Sequence, residues 1–271
     1  MASTLQVDGA ITFSSTLNGL DILADTTNFA NSILISNDAG TGTLSTASNN
    51  TGLGWEVFDD LTEGDDNTGV GYQALTKLTT GTNNTALGSL ALMDVTTGLA
   101  NVAVGHSALE NNTGTANTAV GTDSAKTNTS GGSNTAIGKD ALFSNTTASN
   151  NTAIGKSALE ANTTGAANVA VGSTALDANT TADANTAVGY GSLGLTTTGA
   201  SNTAVGAYSL DANTTGAENV AIGYEALTNN TTAGNNVAIG KDALRANTTG
   251  NTNVAIGTDA MTTNVAGDRN V

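Results

Sequence analysis

The 271-residue sequence predicts an all-β fold, a parallel β-solenoid or β-roll wound in 17-residue coils. A fixed short period, two apolar pieces within each period, and turn residues between those pieces carry the expectation. Asn opens the pattern N[TV][AG][VIL]G at 50, 67, 84, 101, 117, 134, 151, 168, 185, 202, 219, 236 and 253, so eleven of twelve intervals are 17 residues and one is 16. A constant period of this length is the mark of a repeat architecture in which each unit contacts mainly its neighbours. Asn270 and Val271 restart the motif another 17 residues on. The array is therefore expected to be cut in mid-repeat, with its last edge covered by further coils or by another element.

Residues 151–167, NTAIGKSALEANTTGAA, define positions 1 to 17 of a coil. Position 1 is Asn and position 5 Gly in all thirteen copies, position 4 is always Val, Ile or Leu, and position 9 is Leu in ten. The TAIG piece alternates in the manner of a strand, with a bulky and a small face. SALE is expected to form a second strand, with Gly at position 5 and the NTTG run supplying the bends. Helix is disfavoured, since five or six residues between glycines are too few for one. A leucine-rich repeat would need a longer unit with more Leu.

Stacking at about 4.8 Å per coil puts like side chains above one another and makes a rod of roughly 60 Å from residues 50 to 270. The expected structural ladders are Asn151 and Asn168 (amides), Ile154 and Val171 together with Leu159 and Leu176 (buried aliphatics), and Gly155 and Gly172 (bends). Small residues at positions 3 and 8 suggest a second face to which another chain comes close. The one 16-residue unit, 101–116, lacks a residue in its second turn, where deletions are tolerated.

Residues 1–49 are expected to be an N-terminal cap or attachment segment, with strands in LQVDGAITF (5–13) and GLDILAD (19–25) and a degenerate coil in NSILIS (31–36) with TLSTA (43–47). Residues 50–271 form the solenoid.

The chain has no Cys and a single His, which excludes disulfides, thiolate metal sites and cysteine nucleophiles. A net charge of −16 with seven basic residues argues against nucleic acid and anionic membranes. The first thirty residues lack a basic start followed by an apolar core, and no 18-residue apolar span occurs, so neither secretion through a signal peptide nor membrane insertion is expected.

NVAIG, NTAIG and NVAVG resemble the head repeats of trimeric autotransporter adhesins, and NTAVGYGSL with NTTG is similar to repeats in bacteriophage tail fibres and other virion proteins. The resemblance covers about residues 50–271. It implies a homotrimer: a tail-fibre shaft assembled in the host cytoplasm and carried on the virion, touching other virion proteins and a host surface receptor. The alternative it implies is a trimeric adhesin on a cell surface. The 17-residue period and the lack of a coiled-coil stalk or anchor favour the phage reading.

No catalytic, cofactor or metal residue is expected. His106 sits at variable position 6, and no Ser-His-Asp set is assembled around it. The acidic run Asp59–Asp66 matches no calcium loop and is expected to be a solvated turn. Trp55 and Phe58 are expected to seal the end of the aliphatic ladder. Ice binding is a minor alternative, weakened by Val at position 2 in five copies. Glycoside cleavage by paired carboxylates is weakened by turns of nearly uniform length.

Overall fold

The computed structural model describes residues 21–26, 29–36 and 44–271. Within them the chain is an all-β solenoid of about thirteen coils, with fourteen parallel strands in one sheet and no helix. Strand β1 (Asp21–Thr26) turns back on β2 (Phe29–Ser36) in antiparallel register, Ile22 against Ile35 and Ala24 against Ile33. Strand β2 then pairs in parallel with β4 (Thr51–Leu53), while the short β3 (Ala47–Ser48) lies against the start of β2. From there each coil adds one three-residue strand, β5 (Thr68–Val70) to β16 (Val254–Ile256), in unbroken sequence order. Two expected cap strands thus appear as β1 and β2; LQVDGAITF lies outside the described residues.

Register is one coil per strand: Thr152 pairs with Thr135 and Val169, and Ile154 with Ile137 and Val171. The Thr152 N–H donates to the Asn168 carbonyl at 2.8 Å and the Gly155 N–H to the Ile137 carbonyl at 2.7 Å. The short unit does not disturb this ladder, for Val102 still pairs with Thr118. Its Gly114 takes the place of the turn glycine one residue early, so the turn absorbs the deletion.

The expected second strand is absent, and the reason lies in the backbone. Ser157 and Leu159 have φ of 57° and 53°, and positions 7 and 9 are left-handed in every coil. Left-handed residues alternating with ordinary ones bend the chain repeatedly, closing the Ala158 N–H onto Gly155 O and the Asn162 N–H onto Leu159 O. The N–H groups of Ser157, Leu159 and Ala161 point along the axis to neighbouring coils instead. Those cross-coil bonds hold side chains such as Leu in a conformation costing about 1–2 kcal/mol per residue.

The interior is narrow and half polar. It contains Ala at positions 3 and 8, Leu at position 9, and Asn at positions 1 and 12. Ala153 and Leu159 are 0 % exposed, whereas Ile154 is 36 % exposed. This corrects two expectations. The ladder through Ile154 and Val171 does stack, but it faces outward. The small residues at positions 3 and 8 face the coil's own interior, not another chain. In the first coil position 3 has no room even for a methyl group: a Cβ at Gly52 would come 2.6 Å from Leu34 Cδ1 and 3.0 Å from Phe58 Cδ2.

Candidate functional site

Two sets of residues, at positions 5 and 1, fix the spacing and register of the coils. At position 5, Gly155 has φ +135°, and a Cβ there would lie 2.4 Å from the Gly172 carbonyl oxygen, so the glycine ladder is a steric requirement of the stacking. At position 1, Asn151 Nδ2 donates to Gly165 O at 2.9 Å within its own coil, and its Oδ1 accepts the Asn168 N–H at 2.9 Å from the next. Each of these asparagines therefore staples a strand to its turn and passes one bond along the axis.

A second amide ladder, which sequence reading missed, runs at position 12. Asn162 Nδ2 donates to Asn145 Oδ1 at 3.0 Å and to Gly165 O at 3.0 Å, and Asn179 Nδ2 donates to Asn162 Oδ1 at 2.7 Å. Its signal was present, as Asn holds position 12 in nine of thirteen coils. It was hidden within the NTTG run, where Asn is equally expected as turn chemistry. Threonine at position 13 adds a third axial series, with Thr163 Oγ1 donating to Thr180 O at 3.0 Å.

What remains for function is the outer surface. The strand face presents position 2 (Thr or Val) and position 4 (Leu53, Val70, Leu87, Val104 and onward to Ile256), all half-buried or exposed. It is a continuous aliphatic and threonine stripe along the sheet.

Other sequence candidates are dispersed. His106 is exposed. In the Asp59–Asp66 run, Asp65 accepts from the Ser48 N–H at 2.7 Å and hydroxyl at 2.8 Å, and Glu63 accepts from the Ser45 hydroxyl at 3.3 Å. Among the described residues no three His, Asp or Glu side chains gather into a metal-binding group. Phe58 is buried against Leu34 and Gly52, as a seal should be, but Trp55 lies outside the ladder, donating Nε1–H to Glu56 at 2.7 Å. The hydrogen bonds from Gln73 and then Trp55 hold the Glu56 carboxyl below its ordinary value. Asp242 is held low mainly by its hydrogen bond with Lys241, at 2.6 Å.

One coil departs from the pattern at neighbouring positions. In residues 185–201, Gly191 and Gly194 stand where other coils carry side chains, Leu195 is exposed, and Thr196 replaces the ladder Asn at position 12. Asn213 Nδ2 donates to Thr196 Oγ1 at 3.3 Å, while the buried Asn179 Oδ1 has no hydrogen-bond partner among the described residues.

Comparison of the chain with known protein families, curated proteins and solved structures gives no match.

Proposed function

We propose that this chain is a structural fibre protein, a segment of a phage tail-fibre shaft that contributes to host attachment, and that it works as a homotrimer. The observation that carries the reading is the outward stripe at positions 2 and 4. A long regular rod with an aliphatic row along one face is built to lie against its equivalents, because exposed apolar patches of this extent mark interaction surfaces. The resemblance of the NTAIG-type motifs to adhesin heads and phage fibres supports three copies and a mechanical role. The interior is taken up by ladders whose only evident work is to keep the coils stacked.

Mass measurement in solution tests the assembly. The expected species has three times the 26.6 kDa chain mass. Replacing Ile137, Ile154 and Val171 together by Asp should release single chains that keep the β-type circular dichroism, because these side chains face outward. A wild-type chain that runs as a monomer sinks the trimer. Antibody labelling of purified particles then tests the fibre: label confined to a cell envelope would favour the surface-adhesin reading.

A further inference from the structure

The coil that breaks the pattern also opens a groove. A cleft of about 230 Å³ lies over residues 185–201, walled by Tyr190, Tyr208, Leu195, Asp177 and Asp211. Its floor is Gly194. A Cβ on that glycine would stand 2.6 Å from Asp211 Oδ1 and 3.7 Å from Asp177 Oδ1, so the two carboxylate oxygens lean over the same notch and are no farther apart than the sum of those distances. The coils on either side supply the aspartates from position 10, and this coil leaves position 10 bare between them.

The lining of the cleft includes no Lys, Arg or His. Among the described residues neither aspartate is in an ion pair, although Lys77, Lys126, Lys139, Lys241 and Arg245 all pair with acids elsewhere. Burial pushes both carboxyls above their ordinary value, with Glu160 adding to the effect at Asp177. On the aromatic side, Tyr190 and Tyr208 meet edge to face with centroids 5.2 Å apart, and Tyr224 continues the row at 6.4 Å. Tyr190 is 52 % exposed and Leu195 is likewise open to solvent.

We propose that this groove binds a primary alkylammonium ion, such as a lysine side chain or an aliphatic diamine. An ammonium nitrogen seated over Gly194 donates to both aspartates, two N–H···O contacts of about 2.8 Å each spanning the gap between them. The alkyl stem lies along Leu195, and the tyrosine rings stabilise the cation by their π faces. The chain's charge of −16 draws cations toward it. A calcium ion needs six to eight oxygen ligands and finds two carboxylates among aromatic walls. A neutral sugar leaves the paired negative charge uncompensated. The proposal is independent of the fibre reading, since the groove belongs to one chain and lies off the strand stripe.

Calorimetric titration of the full-length protein with cadaverine at low ionic strength tests it, alongside ring-resolved NMR of the tyrosines. Saturable binding at one site per chain is expected, with shifts at Tyr190 and Tyr208 and none at Tyr72. Gly194→Ala, which fills the notch, and Asp177→Asn with Asp211→Asn should each weaken binding by about tenfold or more, while Glu110→Gln leaves it unchanged. The NMR arm uses the wild-type chain and stands even if a variant misfolds. Absence of saturable binding, shifts centred on other tyrosines, undiminished binding by folded variants, or displacement of cadaverine by calcium chloride or methyl glucoside would each overturn the proposal.

Discussion

The coils of residues 50–100 and those of residues 101–269 share one backbone but not one interior. At position 12 the first three coils carry Leu61, Leu78 and Val95, all buried, where nine of the later ten carry Asn. The first coil also places Phe58 at position 9, and Gly52 and Gly69 give it room: a Cβ at Gly69 would lie 2.9 Å from Val57 Cγ1 and 3.5 Å from Phe58 Cζ. The early coils, stacked on the β1–β2 hairpin, thus fill position 12 with apolar volume, where the later ones add a second row of directional amide bonds. A buried Leu contributes about 1.5–3 kcal/mol whatever its exact neighbour, whereas a net amide bond gives about 1 kcal/mol and only in register. The apolar coils anchor the array, and the amide coils keep it aligned.

The largest expected effect is one that ignores this division. Gly71→Ala in the apolar coils and Gly155→Ala in the amide coils each drive a Cβ into the next coil's carbonyl, at 2.5 and 2.4 Å, and each should cost about 4 kcal/mol or more by denaturant unfolding. A mild effect in either region would mean that the glycine ladder is not common to both.

Exchange of the two chemistries comes next. Leu78→Asn puts an amide between Leu61 and Val95, which offer it no partner, and Asn162→Leu takes the donor from Asn145 Oδ1 and leaves Asn179 Nδ2 only Ala182 O. Each should lose about 2–4 kcal/mol. A neutral Asn162→Leu would show that the amide ladder adds nothing over an aliphatic one.

Repair of the ladder is smaller and opposite in sign. Thr196→Asn restores position 12 in the one late coil that lacks it and gives Asn179 Oδ1 a donor. A gain of about 1 kcal/mol is expected in the same unfolding assay, and a loss would mean that Thr196 serves a local need of its coil.

The smallest effect concerns pH. Asp177 and Asp211 have folded carboxyls raised above their unfolded values by burial, so the folded state holds the proton more tightly. Stability from these groups is present below the ordinary carboxyl value and is lost as pH rises through the raised one. Asp177→Asn with Asp211→Asn should therefore flatten the fall in stability that sets in as pH rises above the ordinary carboxyl value of about 4. An unchanged slope would place the titration elsewhere.

Much of this was legible in the sequence. The period gave register directly, because Asn151 and Asn168 can stack only if each coil closes in 17 residues, and an invariant Gly155 required a bend that no other residue makes. Alternation at TAIG showed that Ala153 and Ile154 face opposite ways, but not which one faces in; that choice depends on the width of the coil, which is set by turns remote from the strand. Those turns were themselves unreadable, since nothing in Ser157 or Leu159 favours a left-handed backbone and only the cross-coil bonds impose it. The groove at Gly194 was invisible for a related reason: Asp177 and Asp211 are 34 residues apart, and only the stacking of three coils brings them over one notch.

The bonds joining one coil to the next lie along the rod, and that has a mechanical consequence. A pull applied between the ends loads them one layer at a time, at whichever end yields first, instead of shearing the whole sheet at once. Each regular coil that comes away releases 17 residues, about 55–60 Å of slack for a layer only about 4.8 Å thick. Under tension the molecule lengthens in nearly equal steps, absorbing a jerk coil by coil while the layers still stacked hold their shape.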